Sequence, residues 1–367
     1  MISHFLSVSR LPFQQFCLSR RPLILCRLAL AAAALWGPAS ATPAVHPPAS
    51  SCESRGVGLD SQCLANGITL HFVDWGGHGG DLVLLAGLDD SARIFDELAP
   101  LLATHRHVIA VTRRGFGHSS MPPRGYDGAT LAADLKGFLK AVGVRRADLV
   151  GHSMSGLELT RIATTDPDLV RRLVYLDAAT DKSALMGVFE KDPLGDRDPP
   201  PSALVTFRIL IDWTQQVLKS RSPAIEANLR QSYDQGPSGL KFRTPKDVDA
   251  AVAAGMFADH PDYRRIRAPA LAIYSDATTG DQVPPDASTA LRAAGDAFSR
   301  AVYVPWKELE KARFRLQIAC GRTLELERTG HYLFLERPSE TADWINSFLA
   351  SENPCAWAPG AQAAREN

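Results

Sequence analysis

The sequence has no excess of either charge, since its 367 residues include 40 basic and 40 acidic side chains. This balance argues against a partner such as nucleic acid or an anionic membrane surface, which would select a basic protein. The ten histidines and six cysteines show no zinc-like spacing, and the chain has no internal repeat. We therefore predict a globular protein that binds no metal and no nucleic acid and that acts on a small molecule.

The sequence also lacks a convincing membrane span, because the apolar run Leu28–Trp36 is short and rich in alanine. Arginines precede this run, and Ala39-Ser-Ala41 follows it as a cleavage site. These features predict a signal peptide over residues 1–41, with an uncleaved amphipathic anchor as the alternative. We expect an exported protein, periplasmic or secreted, with no stable membrane span after cleavage.

Only four of the cysteines lie beyond the predicted signal peptide. Four cysteines allow three pairings. Proximity in sequence favours Cys52–Cys63, which leaves Cys320–Cys355 to hold the C-terminal tail after the last helix. Disulfides are expected in an oxidising compartment, and the alternative is four unpaired thiols packed as small apolar side chains.

Short apolar runs alternate with stretches of helical periodicity through most of the remaining chain. Leu82–Leu85, His107–Val111 and Leu173–Leu176 have the continuous apolar character of strands buried on both faces. Helical spacing follows them, for example over residues 131–142. This alternation predicts an α/β protein with a mostly parallel sheet and helices on both of its faces.

The alternation stops between residues 178 and 267, where three helix-like stretches follow one another without a strand. We interpret this segment as an all-helical cap over the carboxyl ends of the strands, the edge where such sheets bind ligands. A separate helical domain is the alternative. The predicted organisation is a signal peptide, a linker with an N-terminal loop, a first core segment, the cap, a second core segment and a tail: residues 1–41, 42–66, 67–177, 178–267, 268–352 and 353–367.

The most informative stretch is Asp148-Leu-Val-Gly-His-Ser-Met-Ser-Gly156, an apolar strand that turns abruptly into a helix. A serine at such a turn, here Ser153, is held clear of the sheet in a strained conformation, and the strain requires small neighbours. Gly151 and Ser155 supply them, although Ser155 replaces the second glycine of the usual G-x-S-x-G pattern. We interpret Ser153 as a nucleophile rather than as part of a plain connecting loop.

With these residues, the chain resembles the α/β-hydrolase superfamily, specifically its capped serine hydrolases of the esterase and lipase-like kind. The resemblance covers roughly residues 68–350 and is carried by five stretches in the expected order. They are Leu84-Leu-Ala-Gly-Leu-Asp-Asp-Ser91, Thr112-Arg-Arg-Gly-Phe-Gly-His-Ser119, Gly151-His-Ser-Met-Ser155, Leu173-Val-Tyr-Leu-Asp-Ala-Ala179 and Thr329-Gly-His-Tyr-Leu-Phe-Leu-Glu-Arg-Pro338.

The resemblance implies a general base and an oxyanion hole. The base is His331, in the turn after the last strand, and an unperturbed imidazole predicts activity that falls near pH 6.5. The oxyanion donors are the backbone N–H groups of Leu88 and Met154, and Gly87 allows the close approach. Ala86 replaces the usual histidine, which removes a side chain but not a donor.

The resemblance leaves the acid of the triad open. The usual position follows the strand at residues 271–274, but no aspartate stands in the expected register there. Asp281 is the first choice because it precedes a Val-Pro pair much as the family acid precedes its proline. Asp177, at the end of the preceding strand, matches the position used by dehalogenase-like relatives. Asp276 is the third candidate.

We therefore expect an exported serine hydrolase that needs no cofactor and cleaves a carboxylic ester with a small hydrophobic acyl group. Serine at the elbow argues against epoxide hydrolase and dehalogenase chemistry, which uses a carboxylate nucleophile. Amide, thioester, lactone and carbon–carbon bond hydrolysis remain open, because the same triad serves them. A small-molecule binding protein with little or no turnover is the alternative of another class.

Overall fold

The structure of this protein is a computed structural model, in which the carboxyl ends of six parallel strands meet at one edge of a single large sheet. It describes residues 51–194, 198–260, 262–276 and 283–359. Within these ranges nine strands form the sheet in the order β1-β2-β3-β5-β4-β6-β7-β10-β11, and β8 and β9 pair separately. The strands are β1 (Ser51–Glu53), β2 (Asp60–Ala65), β3 (Ile68–Gly76), β4 (Asp81–Leu85), β5 (His107–Val111), β6 (Ala147–His152), β7 (Val170–Leu176), β8 (Tyr233–Gly236), β9 (Gly239–Phe242), β10 (Ala270–Ser275) and β11 (Gly321–Leu326).

The helices connect these strands and cover the sheet. They are α1 (Leu98–Ala103), α2 (Gly128–Ala141), α3 (Gly156–Thr165), α4 (Lys182–Phe189), α5 (Phe207–Val217), α6 (Pro223–Ser232), α7 (Lys246–Ala258), α8 (Thr289–Phe298), α9 (Val304–Gln317), α10 (Leu333–Glu336) and α11 (Pro338–Ala350). Single turns of 3₁₀ or π-helix, such as Ser153–Ser155, supplement them.

Two apolar layers, one on each face of the sheet, form the core. Leu82 and Leu84 of β4 pack into one layer, which includes side chains of α1 and α11. Val83 and Leu85 of the same strand pack into the other layer, with side chains of α2, α3 and α9. Successive residues of a strand point to opposite faces, so an unbroken apolar run is the expected sequence of a strand covered on both sides. The predicted fold class is confirmed.

The N-terminal part of the sheet is antiparallel and begins earlier than the sequence predicts. Asn66 and Gly67 both have positive φ, 49° and 77°, and form the two-residue turn that joins β2 to β3. Part of the predicted linker and N-terminal loop, residues 42–66, is therefore strand, as β1 and β2. The structure places Cys52 opposite Cys63 across this strand pair.

The segment between β7 and β10 is mainly but not wholly helical. The prediction of an all-helical insertion is wrong for Tyr233–Gly236 and Gly239–Phe242, which form an antiparallel hairpin. Gly239, with φ of 116°, directly follows the two-residue turn at residues 237–238, and the rings of Tyr233 and Phe242 pack in a tilted arrangement with centroids 5.1 Å apart. Four residues a strand are too few to give a distinct alternating pattern in sequence.

Both predicted disulfides, Cys52–Cys63 and Cys320–Cys355, are present. The first joins neighbouring antiparallel strands. The second ties the short turn Pro354–Ala356 after α11 to the residue before β11.

No helix in the part of the chain that the structure describes has the length and apolarity to cross a bilayer. The predicted signal peptide lies outside the described residues.

Removing each disulfide tests how the two closures contribute to stability. The bridged cysteines are 11 and 35 residues apart. Loop-closure entropy predicts losses of about 3 kcal/mol for Cys52→Ser/Cys63→Ser and about 4 kcal/mol for Cys320→Ser/Cys355→Ser. Urea unfolding of both double variants measures these losses relative to the disulfide-bonded native protein. The reduced native protein, which lacks both closures, is the control. Unchanged unfolding midpoints in both variants would contradict the stabilising role.

Candidate active site

Ser153 lies at the abrupt turn from β6 into α3, in the conformation that the sequence predicts. Its φ is 54°, a left-handed value that is rare for a residue with a side chain. The turn is crowded, because a Cβ atom on Gly151 would lie 2.6 Å from Ser155 Oγ and 2.8 Å from a methyl group of Leu159. The strain is therefore imposed by packing, and it leaves Ser153 partly exposed while its neighbours are buried.

Ser155, the departure from the usual second glycine, has a structural role at this elbow. Its buried hydroxyl lies 3.0 Å from the carbonyl oxygen of Leu85 and 2.8 Å from that of His152. The hydroxyl therefore links the end of β4 to the elbow at the end of β6. Serine at this position thus adds a hydrogen-bonded connection between β4 and β6, the two strands that the predicted oxyanion donors follow.

His331 and Asp177 meet at the carboxyl edge of the sheet. Asp177 directly follows β7, has φ of 45°, and is buried. Its Oδ2 atom lies 2.7 Å from His331 Nδ1. An ionised carboxylate only accepts hydrogen bonds, so Nδ1 carries the proton and Nε2 is the basic nitrogen of the neutral ring. This is the arrangement in which an imidazole can take a proton from a serine.

Burial changes the acid–base behaviour of both groups. Burial lowers the pKa of His331 to about 4, although the hydrogen bond that His331 donates to Asp177 raises it, and nearby His152 and Lys182 act in the same direction as burial. The expected unperturbed value near 6.5 is therefore wrong for this imidazole. Burial alone would raise the pKa of Asp177, but the Lys307 ammonium group and the His331 hydrogen bond hold it well below its ordinary range.

The three candidate acids are in different situations. Asp177 contacts His331, as described. The Asp276 carboxylate accepts the backbone N–H of Thr329, 3.0 Å away, and that of Arg328, so it caps the turn that leads to His331. Asp281, the first choice from sequence, lies outside the described residues. Among the described carboxylates, Asp177 is the one that lies within hydrogen-bond distance of the His331 imidazole.

The predicted oxyanion donors Leu88 and Met154 lie on the loop after β4 and on the elbow, with their side chains buried. Gly87 faces the His152 ring so closely that a Cβ atom would lie 2.8 Å from Nδ1. Asp89, next along the loop, has φ of 64°. The loop therefore runs against the elbow in a conformation that a larger residue at position 87 would not permit.

A buried ion pair, which the sequence analysis missed, supports this loop. Arg113 donates to the carbonyl oxygens of Gly87, at 3.0 Å, and Ala86, at 2.9 Å. The same guanidinium group pairs with Glu158 of α3, and both side chains are about 95% buried. Arg113 thus holds the loop through its carbonyl groups, and Glu158 balances the charge.

The cap contacts the same loop through Asn228 of α6. Its side-chain amide donates to Asp90 Oδ1 at 2.8 Å, and its Oδ1 accepts from the backbone N–H of Ser91 at 2.7 Å. Asp90 Oδ2 also accepts from the hydroxyl of Tyr332, beside His331, at 3.1 Å. This buried network connects α6, the loop that carries Leu88 and the turn that carries His331.

The side chains of Leu88 and Met154 also pack against the cap. Both belong to an apolar cluster with Val248, Val252 and Met256 of α7. The cap therefore covers the side of the site where the predicted oxyanion donors lie, and it presents apolar side chains there.

Sequence reasoning missed Arg113, Glu158, Asn228 and Lys307 for a common reason. Each is a polar or charged residue buried against the site, whereas such residues on helices and loops usually face solvent. The one available signal was the pair Arg113-Arg114, which lies one residue beyond the buried strand His107–Val111. Nothing in the sequence distinguishes Lys307 from the other charges of α9.

Comparisons with known proteins identify the family of this fold. The alpha/beta hydrolase family model matches residues 82–344, and the chain belongs to that family. Soluble epoxide hydrolase of Corynebacterium sp. (strain C12) is 32% identical over 162 residues, which span 43% of this chain and 53% of that protein. 2-(Acetamidomethylene)succinate hydrolase of Mesorhizobium japonicum is 27% identical over 208 residues, 55% of this chain and 72% of that protein.

Solved structures share the fold. The crystal structure of E-2-(acetamidomethylene)succinate hydrolase aligns with a TM-score of 0.59 at 20% identity, over 80% of this chain and 99% of that one. The thioesterase domain from the curacin biosynthetic pathway aligns with a TM-score of 0.58 at 15% identity, over 79% of this chain and all of that one. At these identities the likeness defines the architecture and not the substrate.

The Arg113–Glu158 pair predicts a non-additive effect on stability. Glu158→Ala leaves a buried guanidinium group unpaired and costs about 3–5 kcal/mol. Arg113→Met/Glu158→Leu removes both charges and recovers part of this loss, but not all of it, because the carbonyl groups of Gly87 and Ala86 lose their donor. Asp166→Ala is the control, because its exposed pair with Lys136 contributes about 1 kcal/mol or less. Chemical unfolding of the three variants measures these differences, and equal losses for Glu158→Ala and Asp166→Ala would contradict the prediction.

Proposed function

We propose that this protein is an exported serine hydrolase that cleaves a carboxylic ester, or a related acyl bond, through an acyl-enzyme on Ser153. One observation carries the proposal: a serine in a strained left-handed turn and a histidine hydrogen-bonded to a buried aspartate lie at the same edge of an alpha/beta hydrolase sheet. Such strain is maintained at functional sites and has no evident use in a plain connection.

The proposed mechanism assigns one task to each group. His331 Nε2 accepts the proton of Ser153 Oγ as that oxygen attacks the carbonyl carbon, and Asp177 stabilises the resulting imidazolium. The N–H groups of Leu88 and Met154 stabilise the tetrahedral oxyanion. His331 then protonates the leaving group, and water hydrolyses the acyl-enzyme with His331 as base.

We propose Asp177, rather than the first choice Asp281, as the acid of the triad. Its support is the 2.7 Å contact with His331 Nδ1, the nitrogen that an orienting acid must engage. The alternative of a binding protein with little turnover draws on the displaced acid and on the missing histidine at Ala86, and an acid at Asp177 removes the first of these two supports.

The environment of the site is consistent with hydrolysis. A cavity of about 360 Å³ adjoins His331 between the end of α5 and the turn at residues 328–332, and its lining includes Lys219, Asp276 and Glu336. A polar space of this kind can supply the water for deacylation. The apolar cluster of Leu88, Met154 and α7 favours a hydrophobic acyl group on the other side.

The relatives do not fix the bond that is cleaved. Ser153 stands where enzymes of epoxide hydrolase and dehalogenase type carry a carboxylate nucleophile, so the name of the Corynebacterium relative is not extended to this chain. The match to 2-(acetamidomethylene)succinate hydrolase keeps amide bonds among the substrates to test. Export is supported by the signal-like residues 1–41 and by the two disulfides, which suit an oxidising compartment.

A fluorophosphonate probe tests the nucleophile directly. The folded protein is expected to form one adduct, located on Ser153 by peptide mass spectrometry, because only an activated serine reacts with this probe. Ser153→Ala abolishes labelling, and the urea-denatured native protein is the control for background reaction. Folded protein that neither forms this adduct nor hydrolyses short p-nitrophenyl esters or anilides would sink the enzyme proposal.

Three matched substitutions test the acid. Asp177→Asn lowers kcat by about 10⁴, because the imidazole loses the partner that fixes its tautomer and stabilises its charged form. Asp276→Asn and Asp281→Asn are expected to retain activity within about tenfold. Steady-state kinetics on p-nitrophenyl acetate, with thermal unfolding as the folding control, separates the candidates, and the larger loss in Asp281→Asn would reverse the assignment.

A further inference from the structure

We propose that Lys307 is a positioning residue of the site: its ammonium group fixes the Asp177 carboxylate and moderates the negative charge that His331 experiences. The inference rests on the proposed function. It assigns a role to a charged group that the serine hydrolase mechanism itself does not require.

Lys307 is held by the end of β10 and by Asp177. Its side chain lies in the first turn of α9 and is buried, with Nζ 3.1 Å from Asp177 Oδ1. Nζ also lies 2.9 Å from Ser275 Oγ and donates to the Ser275 carbonyl oxygen. An ammonium group has three donors, and these three acceptors match that number.

The carboxylate of Asp177 is correspondingly fixed from both sides. Oδ1 faces Lys307 and accepts the backbone N–H of Ser275 at 3.2 Å. Oδ2 faces His331 and lies 3.1 Å from Ser275 Oγ. Rotation of the carboxylate would break contacts at both oxygens, so the atom that orients His331 is held in place.

The pairing has an electrostatic consequence. An isolated carboxylate beside an imidazole stabilises the protonated ring and so raises its pKa. Lys307 opposes this effect, because its positive charge sits on the other oxygen of the same carboxylate. The base therefore stays neutral, and able to accept the serine proton, to a lower pH than Asp177 alone would allow.

Several other charged side chains lie near Asp177 and His331, and most of them pair with one another. Asp181 and Glu310 both pair with Arg313, at 2.9 and 3.4 Å. Lys182 of α4 donates to Thr180 at 2.8 Å, and burial lowers its pKa to about 8. The rings of His152 and Tyr274 complete the surroundings. Within the described residues, Lys307 is the cation in direct contact with the Asp177 carboxylate.

Lys307→Met tests the inference, because it removes the charge and keeps an unbranched side chain. In the full-length native protein, kcat/KM on p-nitrophenyl acetate is expected to stay level as the pH falls and to drop near pH 4, where His331 becomes protonated. In Lys307→Met this drop moves to higher pH by about one unit, the scale of a single neighbouring charge. Release of p-nitrophenol is followed at the isosbestic wavelength of its two forms.

The matched control is Lys311→Met, one turn further along α9. Lys311 is as buried as Lys307 but pairs with Glu308 and Glu325, away from the triad. This variant is expected to keep the native pH profile. Lys307→Arg, which retains the positive charge, is also expected to have the native pH profile. Thermal unfolding confirms that each variant is folded. Lys307→Gln, which keeps a donor for Ser275 without the charge, gives the same shift and serves if Lys307→Met does not fold.

Titration of His331 by NMR, assigned with His331→Gln, separates this inference from the proposed function. An upward shift of the His331 titration in the uncharged variants supports the role of Lys307, even if the protein shows no hydrolysis. Folded Lys307→Met and Lys307→Gln whose His331 titrations match the native protein within about 0.2 units would overturn it. Failure of the native protein to form a Ser153 adduct would count against the proposed function alone.

Discussion

A carboxylate withdrawn from water must be surrounded by donors, and the site is built around this requirement at Asp177. The sheet order places β10 between β7 and β11, so the donors of Ser275 and the His331 ring converge on the residue that follows β7. Helix α9 then adds the Lys307 ammonium group. The position of the His331 ring thus depends on a carboxylate whose burial is made possible by three separate segments of the chain.

The loop that carries Gly87 and Leu88 is also held by a buried charged group that has its own partners. Arg113 binds the carbonyl groups of the loop, and Glu158 accompanies it into the interior. A buried ion pair of this kind adds little net stability over apolar packing, but it costs much when one partner is lost. Its value here lies in geometry, since a guanidinium group fixes two carbonyl oxygens in one plane and apolar side chains cannot.

The sequence predicted the features that local chemistry encodes, including the buried strands, the elbow at Ser153, the turn at His331 and the pairing of the cysteines. It did not identify the contact between Asp177 and His331, because that contact depends on the sheet order, which brings the end of β7 beside the turn at His331 and leaves no local pattern in the sequence. The sequence analysis also missed Lys307 and Glu158, because a charged residue on a helix is normally expected to face solvent. The hairpin within the cap was missed because its strands are too short to show a period.

The hydrogen bonds of Asn228 give the cap a second role besides covering the site. Helix α6 is bonded to Asp90 and Ser91, in the same loop that carries Leu88. Displacing this helix would therefore disturb the loop that carries Leu88. It follows that this insertion is not an interchangeable module: a cap transplanted from a relative would have to supply an amide at the position of Asn228 to rebuild the core beneath it.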